Sequence, residues 1–566
     1  MILPGTYNFT DRAYSDFSNV SIRALIPGSV TIKTQWAPSS SAGYFGAFTF
    51  YSDTVTPIRN IRIKDIIFDH NGYKTAAVIL RGNTSASVMS ENIRLDGCEF
   101  LNRAGDASGA LASVLAITDY SGSVGLMRNF KIKDCTFHDN TANVGTYPYS
   151  VLILSNSLEN FKMEGCIYRD LYGTTVATVA NTIRTRKDWS FSGNRFTNTK
   201  LGTLSVGTTM DIYDNNRLGF HGIRITDNYF EDNQSFAFSE DKFHLGIYNS
   251  NGFIVNHNDF YYSRAIIAPG HSSPAGNESI GWTFSDNLLM DINEFSDFDG
   301  HYAGSYDNNI FVRMKYGQAL GGYGNHFPSN YTNNLCYNCC LNPSTSQEWT
   351  QSIFLIEDGG NIFANNTIYD DTPSTKLKYV FCELRGGGGS GNGTANPNIY
   401  ENNHVLGTGP SAQTFYLDAA FKHIIKGNTG ITEAVIQNSQ TNGVAGTSAL
   451  IATDVIVDNF KSNGSPVSNP NPATFGRLLT KTAAYTLTAT DSTILADATS
   501  AAFTVTLPTP VGISGRQYTI KKIDSSVNVV TIASTAGTID GAVTKALSAQ
   551  WQAVRLVSDG VNWFVV

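Results

Sequence analysis

Through residue 461 the chain alternates apolar and polar residues in short bursts, each closed by a polar corner. Asn60-Ile61-Arg62-Ile63-Lys64-Asp65-Ile66-Ile67-Phe68 shows the unit: an alternating strand, a two-residue corner, then a second apolar strand. The same unit returns at Asn92-Ile93-Arg94-Leu95-Asp96-Gly97-Cys98-Glu99-Phe100, at 129–137 and at 160–168. A two-residue period marks half-buried strands. Its steady return marks a repeat architecture, which grows along one axis without needing a new core.

From residue 189 the position held by Cys98, Cys135 and Cys166 becomes asparagine, in SFSGNRF (Asn194), RITDNYF (Asn228), IVNHNDF (Asn258) and TFSDNLL (Asn287). It recurs at Asn308, Asn333, Asn366, Asn403, Asn428 and Asn459, with spacings from 21 to 37 residues. Irregular spacing with a constant local pattern is what a solenoid gives when loops of different length leave one corner. Asparagine tolerates the left-handed backbone of a sharp corner. Stacked at the ~4.8 Å strand spacing, its amides bond from coil to coil and satisfy buried turn backbone. The three cysteines read as a column of small hydrophobes in the first coils.

Composition narrows the class. Lys+Arg 39 against Asp+Glu 47 leaves a net charge of −8 with no basic block, which argues against a nucleic-acid partner. No apolar run approaches the ~20 residues of a bilayer span, and no signal-peptide pattern opens the chain. Seven cysteines are too few and too odd in number for a disulfide scaffold, so reduced thiols and folding in a cytosol are expected. A Pro/Asn/Ser stretch over 462–477 reads as a linker. Beyond it, 478–566 carries six or so strand patterns and no asparagine corners, and is expected to form a small antiparallel β module.

The recurring asparagine resembles the ladder of the pectate-lyase-like right-handed parallel β-helices. Ile2-Leu3-Pro4-Gly5-Thr6-Tyr7 resembles the helix start common in phage tailspikes, although the capping segment usual before it is missing. The resemblance implies an all-β chain: a right-handed parallel β-helix over 1–461 and a terminal module that trimerises the shaft or binds glycan. It further implies a homotrimer on a virion tail, folded in a host cytoplasm and acting outside it on a bacterial surface polysaccharide, with no nucleic acid and no membrane insertion.

Chemistry on such a scaffold sits on side chains standing out of one sheet. Outward carboxyls one or two coils apart match the separations glycosidases use, ~5–5.5 Å for retention and ~6.5–9.5 Å for inversion. Aligning Ile353–Glu357 with Val380–Glu383 and Phe415–Asp418 gives an outward row of Glu357, Glu383 and Asp418 as candidate catalytic acids. Arg385, Tyr416 and Trp349 lie beside it as candidate sugar contacts. The bland alternative is a row of solvated carboxylates. A lyase site would instead use Lys242, His244, Tyr248 and Arg264. A non-catalytic fibre or adhesin is the third reading. No cofactor or metal site is expected, apart from calcium at the acid-rich Asp291, Glu294, Asp297 and Asp299 beside His301. Cys336, Cys339 and Cys340 read as corner packing rather than half a zinc site.

Overall fold

A computed structural model describes residues 1–11, 13–15, 18–35, 46–51, 56–73, 76–81, 89–103, 113–118, 126–139, 150–154, 158–171, 174–178, 188–197, 207–212, 220–231, 242–247, 250–262, 264–269, 279–292, 296–299, 301–302, 304–314, 318–319, 329–340, 352–356, 359–371, 377–383, 397–407, 413–418, 423–431, 435–438, 446–447, 455–461, 464–465, 477–488 and 491–566. Two compact units divide the chain: Met1–Ala449 with Asp458–Val467, and Leu450–Val457 with Ser468–Val566.

The first unit is a parallel β-helix. Successive strands visit three sheets in rotation and return one coil on: Gly5–Phe9 opens sheet 1, Ala13–Ser15 sheet 2 and Ser21–Arg23 sheet 3, and Val30–Thr34 rejoins sheet 1. Sheet 1 reaches fourteen strands, ending at His404–Gly407. Sheet 2 runs ten strands to Ser296–Asp299, and a sheet beginning at Gln318–Ala319 takes its place in later coils. Parallel crossovers of this kind take the right-handed path that chain twist favours. The pair Val435–Asn438 and Gly446–Thr447 breaks the pattern by running antiparallel, which closes that sheet's edge.

Corners explain why short bursts stack. Two positions at sheet 3 are left-handed in coil after coil, occupied by Asn, Asp, Gly or, once, His. Asn19 and Asp188 precede its strands and Asn60, Asn92, Asn129 and Asn160 bend them near their starts or middles; Asp65, Gly97, Asp134, Gly165, Gly193, Asp227, His257 and Asp286 come after them. Glycine is required where an aspartate of the coil before folds over the corner: a Cβ at Gly165 would lie 2.7 Å from Asp134 Oδ1.

Asparagine therefore does two jobs at adjacent positions. The left-handed residue comes first, and the ladder amide sits on the next, in ordinary geometry. This corrects two positions read from sequence. Asn308 and Asn333 take the left-handed corner (φ 54° and 58°), while Asn309 and Asn334 enter the ladder. The ladder residue is the one two positions before an inward side chain, here Phe311 and Cys336.

Under sheet 1 a column of stacked rings fills the interior. Phe68, Phe100, Phe137, Tyr168, Phe196, Phe230 and Phe260 succeed one another at 4.6–5.2 Å between centroids and within 12° of parallel. Each buried ring contributes roughly 1.5–3 kcal/mol. The column locks register, because a one-residue slip would turn every ring outward.

The second unit corrects the expected antiparallel module. Consecutive strands alternate between two sheets, so each pairs in parallel with the strand two along. Arg477–Lys481, Asp491–Ala496 and Gln517–Lys522 form one ladder; Tyr485–Thr486, Phe503–Leu507 and Val530–Ser534 form the other. Only Thr544–Leu547, Ala553–Ser558 and Trp563–Val565 add antiparallel edges. Strand alternation reveals the inward residues, including Ile494, Val505, Ile520, Ile532 and Leu556, but not which strand is the partner.

Candidate functional site

Each ladder asparagine opens a fixed order of side chains on sheet 1: an outward residue, an inward apolar side chain, then a second outward residue. Down successive coils the outward pairs are Arg195 and Thr197, Tyr229 and Glu231, Asp259 and Tyr261, Leu288 and Met290, Ile310 and Val312, Leu335 and Tyr337. The backbone holds these rows in register, so residues far apart in sequence become immediate neighbours.

At three of these coils the outward face is polar and aromatic. Tyr229 lies opposite Asp259, and Glu231 opposite Tyr261, so the two carboxylates sit diagonally across one strand gap. Neighbouring strands lie about 4.8 Å apart and residues two along a strand about 6.6 Å, so diagonal neighbours are roughly 8 Å apart at the backbone. Tyr229 donates its hydroxyl to Glu231 Oε2 at 2.9 Å. The guanidinium of Arg195 covers the Tyr229 ring at 4.0 Å, a cation–π contact. The Tyr261 ring stands 5.1 Å from that of Tyr229 and 6.5 Å from that of Tyr262. Below them Arg313 grips Asp291 through two bonds of 2.7 Å.

The surroundings act on the titration of Asp259 and Tyr229. Partial burial holds the Asp259 carboxyl above its ordinary range, favouring the protonated form. Burial, then the bond to Glu231, pushes the Tyr229 hydroxyl up to about 12, so it stays a donor. A half-desolvated acid beside a carboxylate fixed by a tyrosine is a general acid and general base arrangement. The tyrosine faces offer flat apolar surface with polar edges, which suits a sugar ring.

The acid row expected further down the chain is not assembled. Register pairs Glu383 with Ile356, and Cys382 with Tyr416, so Glu383 is displaced by one residue from the expected alignment and points into the coil. Its side chain is fully buried. Oε1 accepts from Asn398 Nδ2 at 2.9 Å and Tyr400 Oη at 2.7 Å, and Oε2 meets His423 Nε2 at 2.8 Å. Burial pushes its carboxyl up, but His423, Tyr400 and Asn398 outweigh this and leave it below the ordinary value. Tyr416 is 2% exposed, with its ring 4.4 Å from that of Tyr379, and offers no face to a sugar. Asp418 lies in the strand Gln413–Asp418, but its side chain is outside the described residues, as are Glu357, Arg385 and Trp349 altogether.

Of the lyase set only His244 has a described side chain. His244 is 1% exposed and its Nε2 bonds the Tyr261 and Tyr262 carbonyls at 3.1 and 2.9 Å, so it is structural. Lys242 and Arg264 lie on neighbouring strands of sheet 2, with Phe243 opposite Arg264; their side chains and all of Tyr248 are outside the described residues. Of the calcium candidates, Asp291 gives both oxygens to Arg313, and Glu294 is outside the described residues. Asp297 and Asp299 stand in the strand Ser296–Asp299, and His301 starts another; their side chains are likewise undescribed. Cys339 and Cys340 are buried, with sulfurs 3.7 and 3.5 Å from the Phe311 and Ser352 carbonyls.

Matching acids between strands late in the chain passes over the sheet 1 cluster. A signal for it was present all the same. Taking the residue after each ladder asparagine gives Arg195, Tyr229, Asp259, Leu288, Ile310, and the acid stands out between a tyrosine and a leucine.

No family model matches this sequence, and no curated protein does. Among solved structures the chain is similar to the tailspike of E. coli bacteriophage HK620 (12% identity, TM-score 0.40, 86% of this chain and 69% of that one). It is similar to the A-module of the Azotobacter vinelandii mannuronan C-5 epimerase AlgE6 (10%, TM-score 0.31, 77% and 90%). It is also similar to PfbA, a surface adhesin of Streptococcus pneumoniae (9%, TM-score 0.33, 78% and 85%). The likeness is one of fold and extends no further.

Proposed function

We propose that the chain is a tailspike-type depolymerase that binds a bacterial surface polysaccharide across sheet 1 and hydrolyses it, with Asp259 as general acid and Glu231 as general base. The observation that carries this is the diagonal pairing of the two acids between Tyr229 and Tyr261. Acids on diagonal positions of neighbouring coils are spaced more widely than directly opposed ones, which suits the inverting arrangement with one water between base and sugar. Tyr229 fixes the base, Tyr261 carries the ring, and Asp259, raised by its surroundings, protonates the departing oxygen. Assembly as a homotrimer on a virion tail belongs to the same reading. Supporting it are the outward Leu288, Met290, Ile310, Val312 and Leu335 below the acids, an aliphatic face that suits a second copy better than a sugar.

Incubation with purified capsular and lipopolysaccharide glycans tests it. Reducing ends should appear without absorbance at 235 nm, and Asp259→Asn and Glu231→Gln should each cut the rate by about a hundredfold or more while glycan is still bound. Absorbance at 235 nm would assign elimination instead. Full activity in both variants would sink the site, and no release from any glycan would favour a pure binder. Light scattering of Ile310→Glu should report loss of the trimer.

A further inference from the structure

Outward positions of sheet 3 in the early coils carry charge in a regular lattice. The strand Arg59–Lys64 presents Arg59, Arg62 and Lys64; the next presents Glu91, Arg94 and Asp96; then come Arg128, Lys131 and Lys133; then Glu159, Lys162 and Glu164. Two coils are all cationic, and two have a cation between carboxylates. Three of the four flanking acids are engaged: Glu91 bridges Arg59 at 3.4 Å and Arg128 at 2.6 Å, Asp96 meets Arg62 at 3.0 Å and Arg94 at 2.5 Å, and Glu164 meets Lys131 at 2.5 Å. The middle row is purely cationic: Arg62, Arg94, Lys131 and Lys162 lie in register on successive coils. Lys162 has no ion-pair partner among the described residues, and the arginines keep nearly half their side-chain surface exposed.

Stacking alone does not require this lattice. Sheet 3 continues through 190–192, 224–226, 254–256, 283–285, 305–307, 330–332 and 362–364, where Arg224 and Asp307 are the only charged outward residues, and on to Glu401 and Lys426, which pair with each other. Those coils stack in the same register without it. Asp96 is shared by Arg62 and Arg94, and Glu164 holds Lys131, yet among the twelve outward residues eight cations face four acids, so the face keeps a net positive charge. An extended polyanion laid along it would neutralise that excess.

We propose that this face is a second binding site, separate from the sheet 1 cluster, for an anionic polysaccharide running along the helix axis. The twelve outward residues include no aromatic side chain, so the face lacks the stacking platforms that single-stranded nucleic acid uses. Charge is the whole of its recognition, and a chain with acid groups at regular intervals matches a row of cations one per coil. A polymer held here would raise the local concentration of the same polymer at the other site.

The test is affinity electrophoresis and calorimetry of the full chain with sodium polygalacturonate, dextran and oligo(dT) as probes. Polygalacturonate should bind at about 50 mM salt and weaken roughly tenfold by about 300 mM, while dextran does not bind there. Lys162→Gln, which breaks no ion pair, should weaken binding severalfold. The triple Arg94→Gln, Lys131→Gln, Lys162→Gln variant should abolish it, while Lys521→Gln in the second unit leaves it unchanged. Tyr261→Ala, which removes the ring that carries the sugar at the sheet 1 cluster, should bind polygalacturonate normally, which separates this face from the proposed hydrolytic site. The assignment is overturned if polygalacturonate does not bind, if dextran binds equally, if oligo(dT) binds more tightly, or if the triple variant, with unchanged melting, binds like the parent.

Discussion

The chain builds two asparagine ladders, one in water and one in its interior. Asn19, Asn60, Asn92, Asn129 and Asn160 pass amide to amide down the first coils at 2.7–3.1 Å, all of them exposed. Asn194 to Asn459 do the same through ten residues at 2.9–3.0 Å, all buried. The bond is the same length in both, yet its worth differs. In water each amide exchanges one partner for another and gains little. Inside, each carboxamide oxygen also accepts a backbone N–H of the coil before, as Asn287 Oδ1 does from Asn258 N at 2.9 Å, and no water can replace it. The exposed ladder tidies a corner whose left-handed backbone is set by residue type. The buried ladder satisfies a corner that would otherwise be left unpaired.

The comparison breaks most sharply where the interior becomes charged. A short second row, Ser329, Asn361 and Asn398, leads into the Glu383 and His423 pair. His423→Ala should cost about 3–5 kcal/mol, because it strands a buried carboxylate. Denaturant melts of the parent and variant measure this. Acid gives a second reading. The Glu383 carboxyl is held below its ordinary value, so its contribution is complete above the unfolded value near ~4.3 and is lost as pH falls through the lower folded value. The parent should therefore lose stability below about pH 4, and Glu383→Gln should lose less over that interval. Equal acid sensitivity in both would mean that other carboxylates dominate.

A smaller effect sharpens the ladder comparison directly. Asn287→Ala removes the acceptor for Asn258 N and Nδ2 and the donor to the Val255 carbonyl, so about 2–3 kcal/mol is expected. Asn129→Ala removes one exposed bond on each side and gives up a residue suited to φ 58°, which should cost about 1 kcal/mol. If thermal melts found the two equal, burial would not be what separates the ladders.

The same contrast explains how much of the molecule was legible in the sequence. The ladder could be read because its residue keeps a constant offset to an inward side chain, as Asn228 does to Phe230 and Asn258 to Phe260. Double asparagines defeated it twice, since composition cannot say which of Asn308 and Asn309 turns the corner. The acid row failed for a related reason. Every residue from Tyr379 to Glu383 is buried, so the strand carries no alternation to set its face, and a one-residue slip inverted Glu383. In the second unit, strand positions were legible but pairing was not, because the chain changes sheet at each turn.

The junction between the cysteine column and the buried ladder permits the finest test. Cys166 already behaves as a rung: its N–H donates to Asn194 Oδ1 at 2.9 Å. Its sulfur lies 3.9 Å from the Ile132 carbonyl and 3.6 Å from that of Glu164. Asn228 Nδ2 reaches the equivalent carbonyls, of Phe191 and of Thr226 two residues before it, at 3.0 Å. The thiol thus stands where an amide would, as a weak donor on the same two acceptors. Cys166→Asn should extend the ladder by one coil, with a stability change within about 1 kcal/mol, since stronger bonds offset a slightly larger side chain. The reverse exchange, Asn228→Cys, leaves Asn194 N and Nδ2 without their acceptor and should cost about 1–3 kcal/mol. Melting temperatures of the two variants measured side by side decide it. A large loss in Cys166→Asn with little in Asn228→Cys would mean that the column selects for volume and not for hydrogen bonding.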